Sequence, residues 1–307
     1  RCASVSVASG MGRDYAPGSG AALPTIRAAP RRRCMTTPRL SVTLITKNEA
    51  HNIEDCLRSV QGLADEIVVL DSGSSDGTVE IAQRLGAKVT VSTDWPGFGI
   101  QKGRALALAT GDWVLSLDAD ERVSEGLAAE IRRVVGLSQL DTTGQGVAAG
   151  AGGGGATLAG YELSRLSSFC GQWMRHGDWY PDRVLRLVRR DRARFTEDLV
   201  HERLVVDGPV GRLAGDLLHH TMTSLADALD KMNRYTSGRA LDRVRAGKRG
   251  SLAGALGHGL WAFLRSYLVK RGFLDGRLGF VLAVYIAEGT YYRYLKMALA
   301  PAAAAEQ

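Results

Sequence analysis

Residues 41–60 read SVTLITKNEAHNIEDCLRSV, residues 65–89 read DEIVVLDSGSSDGTVEIAQRLGAKV, and residues 111–123 read GDWVLSLDADERV. Each carries a short apolar, β-branched run of the kind that fills a buried strand: Leu40–Thr46, Glu66–Leu70 and Asp112–Leu117. Helical spacing takes over between them. Ile53, Leu57 and Val60 fall on one face of a helix over Asn52–Gln61. Asp76 suits the N-cap of a helix running through Leu85, and Gly86 suits its stop. Ala87–Val91 reads as a further strand, Gly99–Ala109 as a helix, and Ser124–Val135 as a helix capped by Ser124. Strands alternating with helices predict an α/β fold, a mostly parallel sheet flanked by helices. Ligands gather at the carboxyl ends of such strands. Lys47–Asn48–Glu49, Asp71 and Asp118–Ala119–Asp120 all fall at those ends.

The alternation breaks outside this block. Residues 136–160, with the run Ala148–Ala156 (AAGAGGGGA), predict a flexible surface loop. That run lacks the Gly-Lys-Ser/Thr ending of a phosphate-binding loop. Tyr161–Leu166, Arg183–Val188 and Glu202–Val206 read as strands without long helices between them, a mixed sheet suited to an acceptor half. From Ser224 the pattern is helical. Leu225–Arg245 is amphipathic, and Leu252–Val269 and Leu278–Leu299 are apolar but interrupted by Arg265, Glu288 and Arg293. Interrupted segments suit a hairpin lying in a membrane interface better than spanning helices. The expected organisation is an extension over residues 1–38, a catalytic domain over 39–222 and a membrane-associated helical region over 223–307. Residues 1–38 are Arg-rich without apolar periodicity and are expected to be disordered, with the functional protein beginning near Met35.

The net charge of +7 is misleading. Seven arginines and one aspartate in residues 1–39 supply most of it, which removes the case for nucleic-acid binding. Residues 41–140 are acidic, with 15 acidic and 9 basic side chains. Residues 231–277 hold 11 basic and 2 acidic side chains beside apolar segments, as an anionic membrane surface would attract. Cys2, Cys34, Cys56 and Cys170 show no paired spacing, so a reducing compartment fits. Cys56 reads as a small buried residue rather than a nucleophile.

Asp118 and Asp120 flank one small residue. In an extended segment they would face one side and suit Mg²⁺ or Mn²⁺ bridging a diphosphate. On that reading, alanine at either position abolishes turnover with little change in folding. Asp71 is placed to accept from a nucleobase N–H or a ribose hydroxyl, and Lys47–Asn48–Glu49 to hold the base and ribose edge. Arg183, Arg186, Arg189 and Arg190 form a cluster able to meet phosphate, although Arg189 and Arg190 also suit a turn.

The three opening stretches resemble family 2 glycosyltransferases of the GT-A, Rossmann-like fold. The later stretch YPDRVLRLVRR…FTEDLVHERL resembles the branch of lipopolysaccharide core β-1,4-glucosyltransferases that act on heptose. The resemblance covers roughly residues 40–245. It implies an inverting enzyme of a Gram-negative bacterium with a UDP-sugar donor (UDP-glucose in this branch), a divalent metal, and a lipid-linked glycan acceptor. The enzyme would be cytoplasmic and peripheral on the inner face of the inner membrane. By matching motif, Asn48 and Glu49 belong to the nucleotide-binding loop, Asp71 to the uridine site, and Asp118 and Asp120 to the metal and diphosphate. Inversion requires a base for the acceptor hydroxyl. The segment FTEDLVHER offers Glu197, Asp198, His201 and Glu202, with Asp198 and Glu202 the acidic candidates and His201 an alternative third metal ligand. His219 and His220 are further candidates, each better suited to a structural or surface role.

Other classes fit less well. A nucleotidyltransferase would show a Gly-rich basic loop after the first strand, where this chain has TKNEAHN. A dehydrogenase would show GxGxxG there. A polyprenyl-phosphate or protein acceptor, or a non-catalytic membrane-surface protein, stays open as an alternative.

Overall fold

A computed structural model describes residues 39–136, 158–196 and 203–300. The first block runs β1 (Leu40–Thr46), α1 (Ala50–Val60), β2 (Glu66–Asp71), α2 (Thr78–Arg84), β3 (Lys88–Val91), α3 (Phe98–Leu108), β4 (Trp113–Leu117), β5 (Glu121–Val123) and α4 (Glu125–Val135). Strands β3, β2, β1 and β4 pair in that order, all parallel. The predicted α/β sheet flanked by helices is therefore present.

The caps show why the helices fall where they do. Ser124 Oγ accepts from Leu127 N at 3.3 Å and caps α4 as expected. Gly86 stops α2 in a left-handed conformation at φ 84°. α2 begins one residue later than predicted, with Gly77 at its N-cap. Asp76 still accepts from Thr78 N at 3.1 Å, and its other oxygen accepts from Ala50 N at the start of α1.

Burial holds these elements together. Leu40, Val42 and Leu44 of β1 pack with Leu115 and Leu117 of β4, Ile53 and Leu57 of α1, and Leu127 and Ile131 of α4. Cys56 is buried in this core, as its pattern predicts, and burial raises its thiol pKa. One buried polar group joins three elements: Glu66 accepts from Ser41 Oγ at 2.5 Å, from Thr110 N at 2.5 Å and from Lys88 Nζ at 2.7 Å. Burial alone would raise its pKa, but these donors hold it at about 2. Beside it Gly111 leaves no room for a side chain, because a Cβ would meet Ser41 Oγ at 2.6 Å.

The second block is mixed, as its irregular pattern suggests: β6 (Gly160–Phe169), β7 (Gln172–Trp173), β8 (Asp182–Arg189), β9 (Ala193–Phe195), β10 (Leu204–Val206) and β11 (Val210–Met222). β8 pairs antiparallel with both β4 and β6. β11 runs parallel to β6 and antiparallel to β5, which returns the chain to the Asp118–Asp120 corner. β9 and β10 form a separate two-stranded ribbon. Three helices follow: α5 (Leu225–Arg245), α6 (Leu252–Leu264), which a π-helical turn continues over Arg265–Val269, and α7 (Gly276–Leu299). α6 and α7 form a hairpin, and α7 also packs on α5. Among the described residues no helix is long and apolar enough to cross a membrane.

Candidate functional site

The β1–α1 and β2–α2 loops lie side by side because the parallel register brings Thr46 opposite Asp71. Asp71 is fully buried and its carboxylate accepts from four donors: Thr46 Oγ1 at 2.7 Å, Gly73 N at 2.9 Å, Ser74 N at 2.7 Å and Ser74 Oγ at 2.6 Å. That fills a carboxylate's usual capacity. Asp71 thus shapes the loop in which a nucleoside would lie. Lys47 Nζ clamps the same loop through Ser72 O at 2.9 Å and Gly73 O at 2.6 Å. Asn48 adopts a left-handed φ of 56°, which lets its Oδ1 accept from Ser75 N at 2.9 Å. Glu49 opens α1, its Oε2 accepting from Asn52 Nδ2 at 3.0 Å.

A cavity of about 440 Å³ opens at these strand ends, lined by Thr46, Lys47, Glu49 and Ser72 on one side and by Trp95 and Phe98 on the other. The two rings meet edge to face with centroids 4.8 Å apart, and both are nearly half exposed. Exposed aromatic faces beside polar loop groups suit a flat base. Neither ring belongs to the polar clusters that follow the strands. Their signal was an aromatic pair within the Pro-Gly connection TDWPGF at the carboxyl end of β3.

The DAD segment departs from the expected geometry. Ala119 and Asp120 form a turn closed by Glu121 N donating to Asp118 O at 3.0 Å, so the two-residue alternation of a strand does not apply. Asp118 Oδ1 lies 3.0 Å from Lys102 Nζ and its Oδ2 lies 2.5 Å from Arg186 Nη2. Arg186 also holds the fully buried Glu121 at 2.6 Å. Burial alone would raise the Asp118 pKa, but Arg186 and Lys102 outweigh it and hold the group well below the carboxylate range. Arg186 in turn stays protonated against its burial, through Asp118 and Glu121. Alanine at Asp118 would leave two buried cations without this partner, so the expectation of unchanged folding is corrected there.

Asp120 faces elsewhere. Its Oδ2 lies 3.3 Å from His219 Nε2, and His219 Nδ1 lies 2.9 Å from Ser167 Oγ, which orients the ring. His219, expected to be structural, thus stands at the site, because β11 pairs with β5 in the register His219 to Glu121. His220 points away and packs edge to face on Trp173 at 4.9 Å, with burial and then Arg122 lowering its pKa.

Among the described residues no group of three or more His, Cys, Asp or Glu side chains could hold a metal. Asp120 offers the hard oxygen that Mg²⁺ or Mn²⁺ prefers, such ions commonly being held by one or two carboxylates with substrate phosphates and water completing the shell, and the His219 ring stands beside it.

The four arginines do not form one phosphate site. Arg183 donates to Leu213 O at 3.0 Å, Arg190 to Gly111 O at 2.8 Å, and Arg189 lies over the Trp113 ring at 5.4 Å. The acidic candidates Asp198 and Glu202, with Glu197 and His201, lie outside the described residues, between β9 and β10.

Residues 41–135 match the family model described as glycosyl transferase family 2. An uncharacterised glycosyltransferase of Rickettsia typhi is 30% identical over 268 residues, covering 84% of this chain and 86% of that protein. The lipopolysaccharide core biosynthesis glycosyltransferase LpsC of Rhizobium meliloti is 28% identical over 273 residues, covering 83% of this chain and 93% of its own. A crystal structure of glucosyl-3-phosphoglycerate synthase from Mycobacterium tuberculosis, in complex with Mn²⁺, UDP and glucosyl-3-phosphoglycerate, is 27% identical over 43% of this chain and 44% of its own. Its TM-score of 0.30 is too low to carry anything over to this site. The chain belongs to glycosyl transferase family 2. It is a glycosyltransferase built on an α/β sheet, and one relative, LpsC, is named for lipopolysaccharide core biosynthesis.

Proposed function

We propose that the chain transfers a sugar, glucose by expectation, with inversion from a UDP-sugar to a cell-envelope glycan, the lipopolysaccharide inner core. The observation that carries this reading is the cavity walled by Trp95 and Phe98 at the carboxyl ends of the parallel strands, next to the Asp118–Asp120 turn, in a chain of this family. The name of the LpsC relative supports the acceptor class.

In this reading the base lies against Trp95, and the Asp71-centred loop, with Asn48 and Glu49, fixes the uridine. Asp118, locked to Lys102 and Arg186, sets the turn that presents Asp120. Asp120 and His219 would hold Mg²⁺ or Mn²⁺, whose charge would offset that building on the leaving diphosphate. Asp198 or Glu202 takes the proton of the acceptor hydroxyl as its oxygen attacks the anomeric carbon.

The helical hairpin supports work at a lipid surface, the inner face of the inner membrane. Leu252, Leu256, Leu260 and Trp261 form an exposed stripe on α6, each more than half exposed, and Leu268 and Val269 extend it. Lys248, Arg249, Lys270 and Arg271 flank it. An exposed apolar stripe with a basic rim suits an anionic bilayer interface.

The test is UDP release from a panel of nucleotide sugars with Mn²⁺ or Mg²⁺ and then with EDTA. Metal-dependent release from one UDP-sugar is expected. Neither release nor metal-dependent binding of any UDP-sugar would overturn the reading.

A further inference from the structure

A second cavity, of about 520 Å³, lies on the far side of His219. That size is within the range of small-molecule sites, roughly 300–1,000 Å³. Its near end is Arg165, Ser167 and His219 of β6 and β11, so it begins where the Asp120 pair stands. Its far wall belongs to α5 and α7 and carries Arg239 and Arg293.

The charges of this cavity do not balance. Both carboxylates that line it are already paired: Asp182 with Arg165 at 2.6 Å, and Asp178 with Arg265 at 2.9 Å. Arg239, Arg293 and the neighbouring Arg243 have no ion-pair partner among the described residues. Arg293 stacks on the Tyr294 ring at 5.2 Å, and its Nε is buried without a hydrogen-bond partner. Its pKa is lowered, by burial first and by the charges of Arg243 and Arg239. Arg239 is exposed at the edge of this wall and Arg293 is half-buried with a donor left unmet, and like-charged guanidinium groups so gathered are stabilised by an incoming anion. Trp179 and Tyr285 line the same space, both packed on Phe169, and give flat faces for a sugar ring.

We propose that this cavity is the acceptor site, and that Arg239 and Arg293 hold an anionic group of the acceptor glycan, a phosphate ester or a sugar-acid carboxylate, with the reacting hydroxyl turned toward the His219 end. The inference rests on the reading of the chain as a UDP-sugar-dependent transferase and names the chemistry of its second substrate. A neutral glycan would leave the two arginines unmatched, so charge acts as a selection rule.

The experiment is calorimetric titration of the full chain with mannose 6-phosphate, glucuronate and neutral mannose at low and high salt, on the native protein and on Arg239→Gln and Arg293→Gln. At least one anionic sugar should bind, which of the two identifying the anion, and mannose should not. Each substitution should weaken that binding about tenfold, as loss of a charged hydrogen bond does, and salt should weaken it further. Binding of UDP is the control for folding. Where a variant has lost it, the comparison of charged with neutral sugar in the native protein decides alone. Failure of both anionic sugars to bind, equal binding of mannose, or unchanged binding in variants that still bind UDP would overturn the proposal. A native protein that neither releases UDP nor binds any UDP-sugar would instead overturn the transferase reading, a separable result.

Discussion

The nucleotide end and the helical end of the molecule treat charge in opposite ways. Around the strand ends three acidic groups are already satisfied: Asp71 by four donors, Asp76 by the starts of α1 and α2, and Asp118 by two buried cations. Around α5 and α7, Arg239, Arg243 and Arg293 have no ion-pair partner among the described residues, and the Arg293 Nε is buried without an acceptor. The first arrangement is a preorganised frame whose polar groups cost nothing to realign when a ligand arrives. The second is completed by what binds there. The two ends should therefore respond differently to substitution: the frame through stability, the helical wall through recognition.

The sharpest way to break this contrast lies at Asp120, which faces the site and stands 3.3 Å from His219 Nε2. Asp120→Ala should lower turnover on the order of 100-fold or more, the scale of losing a group that stabilises developing charge. Its melting temperature should stay near native. Normal UDP release by this variant would remove Asp120 from the chemistry.

Asp118→Asn tests the frame. Removing one partner of a buried charge pair costs about 3 kcal/mol or more, so chemical denaturation should show a clear loss that Asp120→Ala lacks. Equal stability of the two variants would erase the distinction drawn here.

Glu66 gives the frame a pH signature. Its folded pKa is depressed from 4.5 to about 2, so its contribution is fully present above pH 4.5 and is lost as pH falls toward 2. Over that window the native chain should lose on the order of 3 kcal/mol. Glu66→Gln should start less stable and show a shallower acid limb.

Trp95→Ala should weaken UDP binding roughly tenfold, the scale of one base stacked on one aromatic ring, with stability unchanged because the ring is nearly half exposed. The smallest effect is expected on α6, where Leu260→Ala should cut binding to vesicles containing anionic lipid a few-fold, by loss of one apolar side chain that would enter the interface. Undiminished vesicle binding would move the membrane contact away from the stripe.

The sequence made the frame legible because its determinants are local. Strand runs, Ser124 and Gly86 sit within a few residues of what they cap or stop, and the polar clusters follow the strands directly. The acceptor side is written over long separations. β11 was not read as a strand because VGRLAGDLLHHTM contains two glycines and no clean alternation, and its register shifts twice against β6. Without β11, His219 could not be placed opposite Asp120, some hundred positions earlier in the chain. Lys102 and Glu121 were missed for the same reason, since each acquires its role only when β4, α3 and β8 meet. Asp118 and Asp120 do not share a face because the chain turns where the alternation of a strand would need it extended.

β11 also has an evolutionary and engineering consequence. Thr221 and Met222, which line the acceptor cavity, follow His219 by only two and three residues, and Ser224, two residues further on, caps α5. The metal corner and the acceptor wall are thus consecutive words of one sentence of chain, while the nucleotide frame is a separate clause. Exchanging the charge preference of the α5–α7 wall among relatives should be achieved by transplanting everything after Ser224 as a cassette, while Arg165, Ser167 and Trp179 of the same cavity stay with β11 and the donor half. A junction placed earlier would swap the histidine's setting along with the glycan's.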